Sequence, residues 1–239
     1  MNGHELDFVK PMFDAIAPKY DFLNRLLSLR QDVVWRRKLV SALDIPQNGR
    51  VLDVACGTGD VVMEILAQKR PTLTCGLDFA AAMLEIAKQK TAVNADRSNT
   101  PAICFVAGNG LCLPFSDLSF DAVTIAFGIR NIMDRSAALR EFHRVLRPGG
   151  MVAVLELATP TTRFFKALYL LYFMRLLPAI GGLFSKNTRA YKYLPDSVLR
   201  FPEASEFAGI ICSAGFTEVK YTALTFGAAT LYIGKKSRL

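Results

Sequence analysis

Histidine is nearly missing from this sequence: His4 and His143 are the only two among 239 residues. That scarcity excludes a histidine-built metal centre and leaves little imidazole for acid–base work. Hydrophobic residues make up 51% of the chain, yet no run of 18 or more apolar residues occurs, so no membrane-spanning helix is predicted. The opening residues, Met1-Asn2-Gly3-His4-Glu5, lack the apolar stretch of a secretory signal, which predicts a cytoplasmic protein. Cysteines are few, odd in number and scattered (Cys56, Cys75, Cys104, Cys112 and Cys212), mostly within apolar strand-like runs. They read as reduced, buried thiols, with no disulfide framework and no zinc or other metal site. Acidic residues are outnumbered 21 to 29 by Lys and Arg, a formal charge of +8. This points to an anionic partner, nucleic acid or lipid surface, and the sign alone does not choose. The densest basic clusters, Arg36-Arg37-Lys38 and Lys235-Lys236-Ser237-Arg238, read most simply as solvated faces. No repeat or low-complexity tract appears, and the length suits one domain over residues 1–239.

The informative stretch is Val51-Leu52-Asp53-Val54-Ala55-Cys56-Gly57-Thr58-Gly59-Asp60. A short β-branched run broken by two glycines predicts a buried strand, a tight turn and a helix start. Gly57 and Gly59 permit positive φ or close approach of a ligand, and a helix N-terminus offers unpaired N–H groups. A dinucleotide site needs G-x-G-x-x-G, and no frame here supplies it. Asp53 and Asp60 flank the turn where a pyrophosphate would be repelled and a cation would not. A plain structural turn without ligand is the alternative. The segment resembles motif I of the Rossmann-like methyltransferases, which bind S-adenosylmethionine, a donor with a sulfonium, an ammonium and no phosphate.

Ahead of this strand, Phe8 to Leu43 has helical apolar spacing interrupted at Pro18, which predicts two or three short helices. Tyr20-Asp21-Phe22-Leu23-Asn24 and Trp35-Arg36-Arg37 mix polar and large apolar groups. They either cover the pocket, as a cap over residues 1–45, or simply pack. Leu73–Asp78 predicts a second strand ending in an acid. Asp78 follows Gly59 at close to the spacing of a carboxylate that accepts both ribose hydroxyls; capping the helix predicted over Ala80–Lys90 is its other reading. Ile103–Val106 predicts a third strand, leading to Asn109 and Gly110, placed to read an adenine edge. Phe120–Phe127 predicts a fourth, so Ala126 to Asn131 should face a ligand's reactive end, with Arg130 and Asn131 the polar candidates for chemistry. Ser136–Leu146 predicts a helix, Arg147-Pro148-Gly149-Gly150 a turn, and Met151–Leu157 an apolar strand that contains Glu156. Two strands, about Glu218–Thr225 and Ala229–Gly234, close the pattern. Phe164–Phe184, inside an insertion over 160–200, is apolar except for Lys166 and Arg175. It reads as a lid over the pocket, a surface for resting on a membrane, or a buried core helix.

Together, these segments resemble the ubiquinone/menaquinone biosynthesis C-methyltransferases of the UbiE/MenG type, from about Phe13 to Lys236. The resemblance is carried by Tyr20-Asp21-x-x-Asn24 with Ser28 and Trp35, by the glycine loop, and by Phe127-Gly128-Ile129-Arg130-Asn131. Arg144 to Gly150 leading to Leu155-Glu156, and Tyr193-Leu194-Pro195-Asp196-Ser197, complete it. It implies a class I methyltransferase fold, a seven-stranded, mostly parallel α/β sheet with helices on both faces. It also implies S-adenosylmethionine contacted at Thr58, Asp78, Asn109, Gly110 and the position of Ala126. Tyr20, Asp53, Gly57 and Gly59 complete the candidate donor site. The chain departs from the family pattern at Arg30 and Asp32, usually Gly and His, and at Gly110-Leu111, usually Ala-Glu. Ala126 and Ala158 stand for serines, and Tyr232 for a histidine.

The implied reaction is C-methylation of a demethylated isoprenoid quinol. A ring carbon is a weak nucleophile until a neighbouring hydroxyl loses its proton. With no usable histidine, Arg130 is expected to stabilise the phenolate or position a water, and Asn131 to hold the second ring oxygen. The expected partners are the quinol and an anionic membrane face; a homodimer stays open. A nucleic-acid partner is not expected. An RNA N-methyltransferase would carry Asp/Asn-Pro-Pro-aromatic after strand four, and an RNA C-methyltransferase a cysteine near the pocket. A cofactor-binding scaffold without catalysis is the other alternative.

Overall fold

Strand β1 (Arg50–Val54) forms where Val51, Leu52 and Val54 place apolar side chains on both faces, and all three are buried. A strand covered on both sides belongs to a parallel sheet with helices front and back. The computed structural model describes residues 11, 14–93, 101–172 and 188–238, and places β1 in the middle of a seven-stranded sheet. The others are β2 (Leu73–Asp78), β3 (Ala102–Ala107), β4 (Phe120–Ala126), β5 (Leu146–Leu157), β6 (Thr217–Leu224) and β7 (Ala229–Lys235). Their order is β3-β2-β1-β4-β5-β7-β6, with β7 antiparallel to both neighbours and the remaining pairs parallel. The winding reverses between β1 and β4, which opens a crevice above their carboxyl ends.

The helices are α1 (Tyr20–Leu27), α2 (Gln31–Ser41), α3 (Asp60–Gln68), α4 (Ala81–Val93), α5 (Arg135–Val145), α6 (Arg163–Leu171), α7 (Thr188–Leu199) and α8 (Ala204–Ser213). Alternation along the strands divides the core in two. Leu52, Val54 and Ile125 meet Leu139 and Phe142 of α5 and Phe207 of α8, whereas Val51 and Ala122 meet Leu39 of α2 and Ile65 of α3. The N-terminal helices are therefore part of the main core: Trp35 is buried in it, and its Nε1 donates to Thr225 Oγ1 at 2.8 Å. Pro18 sits at the start of a 3-10 turn, Ala17–Lys19, where its missing N–H costs nothing. Asp134 caps α5 by accepting from the Ala137 N–H at 2.8 Å.

Several expectations need correction. Cys75 and Cys104 are register partners on β2 and β3 and form a disulfide, so they are not reduced thiols; linear spacing conceals that two distant cysteines face each other across a ladder. Cys112 and Cys212 are exposed, and Cys56 alone is a buried free thiol. Arg147 to Gly150 is extended rather than a turn. β5 starts at Leu146, with a register irregularity against β4, because Gly149 and Gly150 exchange backbone bonds with Lys236. Of Phe164–Phe184, residues 173–184 lie outside the described residues, as do Met1 to Glu5.

Candidate active site

The glycine loop builds the floor of the crevice. Ala55, Gly57 and Gly59 hold φ of 52°, 54° and 82°, a left-handed conformation that the two glycines adopt without strain. A Cβ on Gly59 would lie 3.0 Å from the Ala87 Cβ, so this glycine allows α3 to start against α4. The resulting cleft holds about 330 Å³ of space open to solvent and is lined by Tyr20, Arg36, Asp53, Gly57, Thr58, Ala126 and neighbouring residues.

Within it, Asp53 accepts from Thr124 Oγ1 at 2.6 Å through Oδ1, whereas its buried Oδ2 has no partner among the described residues. Burial pushes its carboxyl up to about 7, against the opposing pull of the Thr124 bond and of Arg36. A buried carboxylate oxygen without a donor is costly, and a ligand cation is what would satisfy it. Arg36 is the cation on the wall: its Nη1 donates to Asp32 Oδ2 at 2.6 Å and lies 3.3 Å from Asp60, with the guanidinium 5.5 Å over the Phe127 ring. Burial works against the Asp60 charge, but Arg36 and Lys90 hold its carboxyl below the ordinary value.

Thr58 is tied into the cap. Its hydroxyl donates to Asp21 Oδ1 at 2.5 Å and accepts from Lys90 Nζ at 3.1 Å. Lys90 also pairs with Asp21 and with Asp60, at 2.5 and 2.7 Å. Charges from α1, α2, α3 and α4 thus converge over the loop.

Asp78 stands at the end of β2. Its Oδ2 accepts the Gly57 N–H at 2.8 Å and its Oδ1 the Ala80 N–H at 2.8 Å. It braces the loop and caps the approach to α4 together, and a carboxylate retains lone pairs for further donors. Asn109 uses its Oδ1 to accept the Leu111 N–H at 3.0 Å, which shapes its own turn. A Cβ on Gly110 would come 3.2 Å from Val54 Cγ1, so the position has little room for a side chain. Tyr20, Asp53, Gly57, Thr58 and Ala126 therefore share one cavity, with Asp78, Asn109 and Gly110 outside its lining and Gly59 used for packing.

Arg130 and Asn131 follow β4 in a 3-10 turn, Ile129–Asn131. Arg130 is buried against Glu156 of β5: Nη1 donates to Oε1 at 2.6 Å and to the Phe127 carbonyl, and the Arg130 N–H donates to Oε2 at 3.1 Å. Its Nε is a buried donor with no partner among the described residues. Burial disfavours its charge, but Glu156 holds the guanidinium protonated. Tyr169 of α6 and Tyr193 of α7 lie in electrostatic reach of Arg130, and burial raises the Tyr169 phenol. His143 stacks edge-on against Phe216, 5.1 Å away, beside the start of β6. Thr217 pairs with Lys235, which pairs with Met151, and Met151 pairs with Ala122 near the start of β4, so this histidine is at the opposite end of the sheet.

Linear reading passed over the roles of Arg36 and Glu156, and left Tyr193 as part of a motif only. An acid inside the apolar run Met151–Leu157 was the available signal, because buried carboxylates need partners. Nothing local distinguished Arg36 from Arg37.

The profile of the ubiE/COQ5 methyltransferase family matches residues 1–236. The chain is 49% identical over 229 residues to the ubiquinone/menaquinone biosynthesis C-methyltransferase UbiE of Geotalea daltonii, covering 95% of this chain and 96% of that one. It is 45% identical over 228 residues to the demethylmenaquinone methyltransferase of Deinococcus radiodurans, covering 95% and 92%. Among solved structures, a SAM-dependent methyltransferase of Thermotoga maritima superposes with a TM-score of 0.63 at 20% identity, covering 95% of this chain and 99% of that one.

Proposed function

The chain belongs to the ubiE/COQ5 methyltransferase family, and from that premise we propose that it methylates a ring carbon of a demethylated isoprenoid quinol. The acceptor is demethylmenaquinol, the methoxy-benzoquinol of the ubiquinone pathway, or both, and the donor is S-adenosylmethionine. The observation that carries the reading is the free buried oxygen of Asp53 in the same cavity as the Arg36 guanidinium. The methionine end of the donor is a zwitterion, and this pair offers a carboxylate for its ammonium and a guanidinium for its carboxylate.

In this reading Thr58 and the Gly57 loop hold the amino-acid end, and Tyr20 closes over it. Asp78 accepts the ribose hydroxyls, Asn109 and Gly110 receive the adenine, and Ala126 flanks the sulfur. When bound, the donor supplies an electrophilic methyl group. The protein's part is to make the ring carbon nucleophilic and to aim it. The Nε–H of Arg130 is the unspent donor for the phenolate oxygen, and Glu156 keeps the guanidinium charged and fixed. Asn131 holds the second ring oxygen. Enclosure of these groups removes competing water and aligns carbon, methyl and sulfur.

The substrate's tail asks for a greasy approach. Helix α6 leaves Phe164, Leu168 and Leu171 between 56% and 72% exposed, and Phe226, 71% exposed, stacks on Phe165 at 4.3 Å. Arg163 and Lys166 are exposed on the same helix. Among the described residues no helix is long and apolar enough to cross a membrane. We assign this face to peripheral contact with an anionic bilayer.

The test is to supply methyl-labelled donor and demethylmenaquinol to the purified protein. Label in menaquinol is expected, and calorimetry should show S-adenosylhomocysteine binding. Absence of both overturns the function; homocysteine-adduct binding without transfer leaves a scaffold.

A further inference from the structure

Tyr193-Leu194-Pro195-Asp196-Ser197 is the family-bearing segment to which the donor site assigns no task. It lies in α7, at the end of the insertion after β5. Leu194 and Val198 pack on Leu23 of α1, which seats this part of α7 on the cap. From there the Tyr193 hydroxyl donates to Asn131 Oδ1 at 3.0 Å, across 62 residues of sequence.

An asparagine amide has one accepting and one donating end of nearly the same shape, and a half-turn exchanges them. A phenol that donates to Oδ1 selects one of the two. It leaves Nδ2, the donating end, as the one available to a ligand. A ring oxygen that gains negative charge as carbon is methylated needs a donor there, and a carbonyl facing it would repel it.

We infer that Tyr193 is a positioning residue for methyl transfer: its phenol sets the Asn131 amide with the NH2 group toward the quinol oxygen. Because α7 carries the phenol, the oxygen site is complete only when α7 is seated on α1. This inference rests on the quinol reading above. The bond acts on the charge of the transition state more than on ground-state binding, so its loss should fall on kcat rather than KM. One neutral hydrogen bond corresponds to roughly tenfold in rate.

The test is a double-mutant cycle with Y193F and N131A, read by initial rates on demethylmenaquinol, calorimetry with S-adenosylhomocysteine, and thermal unfolding. Y193F should lower kcat about tenfold, with KM, homocysteine-adduct affinity and unfolding midpoint near the parent's. In the N131A background, Y193F should have no further effect. An equal loss in both backgrounds, an unchanged kcat, or a loss that tracks stability or donor-site affinity overturns the inference while the function stands. Wild-type protein that binds the adduct yet transfers nothing to the quinol overturns both readings.

Discussion

Asp53 is the residue on which donor recognition is most open to measurement. Its carboxyl, raised by burial to about 7, stays partly protonated at neutral pH. An acid whose folded value exceeds its unfolded one costs stability as pH rises between the two, so the ligand-free protein should lose stability from about pH 4 to about pH 7. An ammonium placed on Oδ2 favours the charged form. Affinity for S-adenosylhomocysteine should therefore climb toward tenfold per unit as pH approaches 7 from below and level off above it. Asp53→Asn should flatten that profile and weaken binding at pH 8 by at least tenfold, as loss of a charged hydrogen bond requires; calorimetry across pH checks both. Arg130 calls for a different variant. Deleting it to Ala would strand Glu156 as a buried charge at a cost of about 3–5 kcal/mol, which confuses folding with catalysis. Arg130→Lys keeps the charge and loses the fork, so turnover should drop about a hundredfold with adduct affinity within a few-fold. Arg30 offers a stability test away from the chemistry. It holds φ 63°, a left-handed conformation that favours glycine. The left-handed cost of about 1–2 kcal/mol exceeds glycine's entropic cost, so Arg30→Gly should stabilise by about 0.5–1 kcal/mol in a denaturation series.

Among the elements, α6 faces two ways. Tyr169 turns toward Arg130 and Glu156, and Tyr172 donates to the Leu27 carbonyl of α1 at 2.5 Å, whereas Leu168 and Leu171 point outward. Leu168→Glu should reduce cosedimentation with anionic phosphatidylglycerol vesicles several-fold and leave adduct affinity unchanged. Equal sedimentation would remove α6 from membrane contact. The turn Ile129–Asn131 is also an element with divided duties, since its backbone and Arg130 side chain are both held by Glu156 of β5. That arrangement ties Arg130 to the rigid sheet. Among the described residues of the insertion, Tyr169 and Tyr193 reach Arg130 and Asn131.

Over the whole molecule, a formal charge of +8 should draw the protein to anionic lipid, and vesicle binding should weaken as salt rises from about 0.05 to 0.5 M. Adduct binding, enclosed in the crevice, should change far less. The β-branched runs and the glycine loop determined the sheet, its parallel character and the place of the crevice, because burial on two faces and positive φ are local demands with few solutions. That Asp53, Asp78, Arg130 and Asn131 stand at or just beyond strand ends was legible for the same reason, because acids and amides that interrupt an apolar run mark where the strand stops. Local pattern could not show which charges pair. Arg36 with Asp32 and Asp60, Arg130 with Glu156, Tyr193 with Asn131 and Cys75 with Cys104 are partners set by helix docking and strand register. Those depend on how the two core faces pack, so only the tertiary structure decided them.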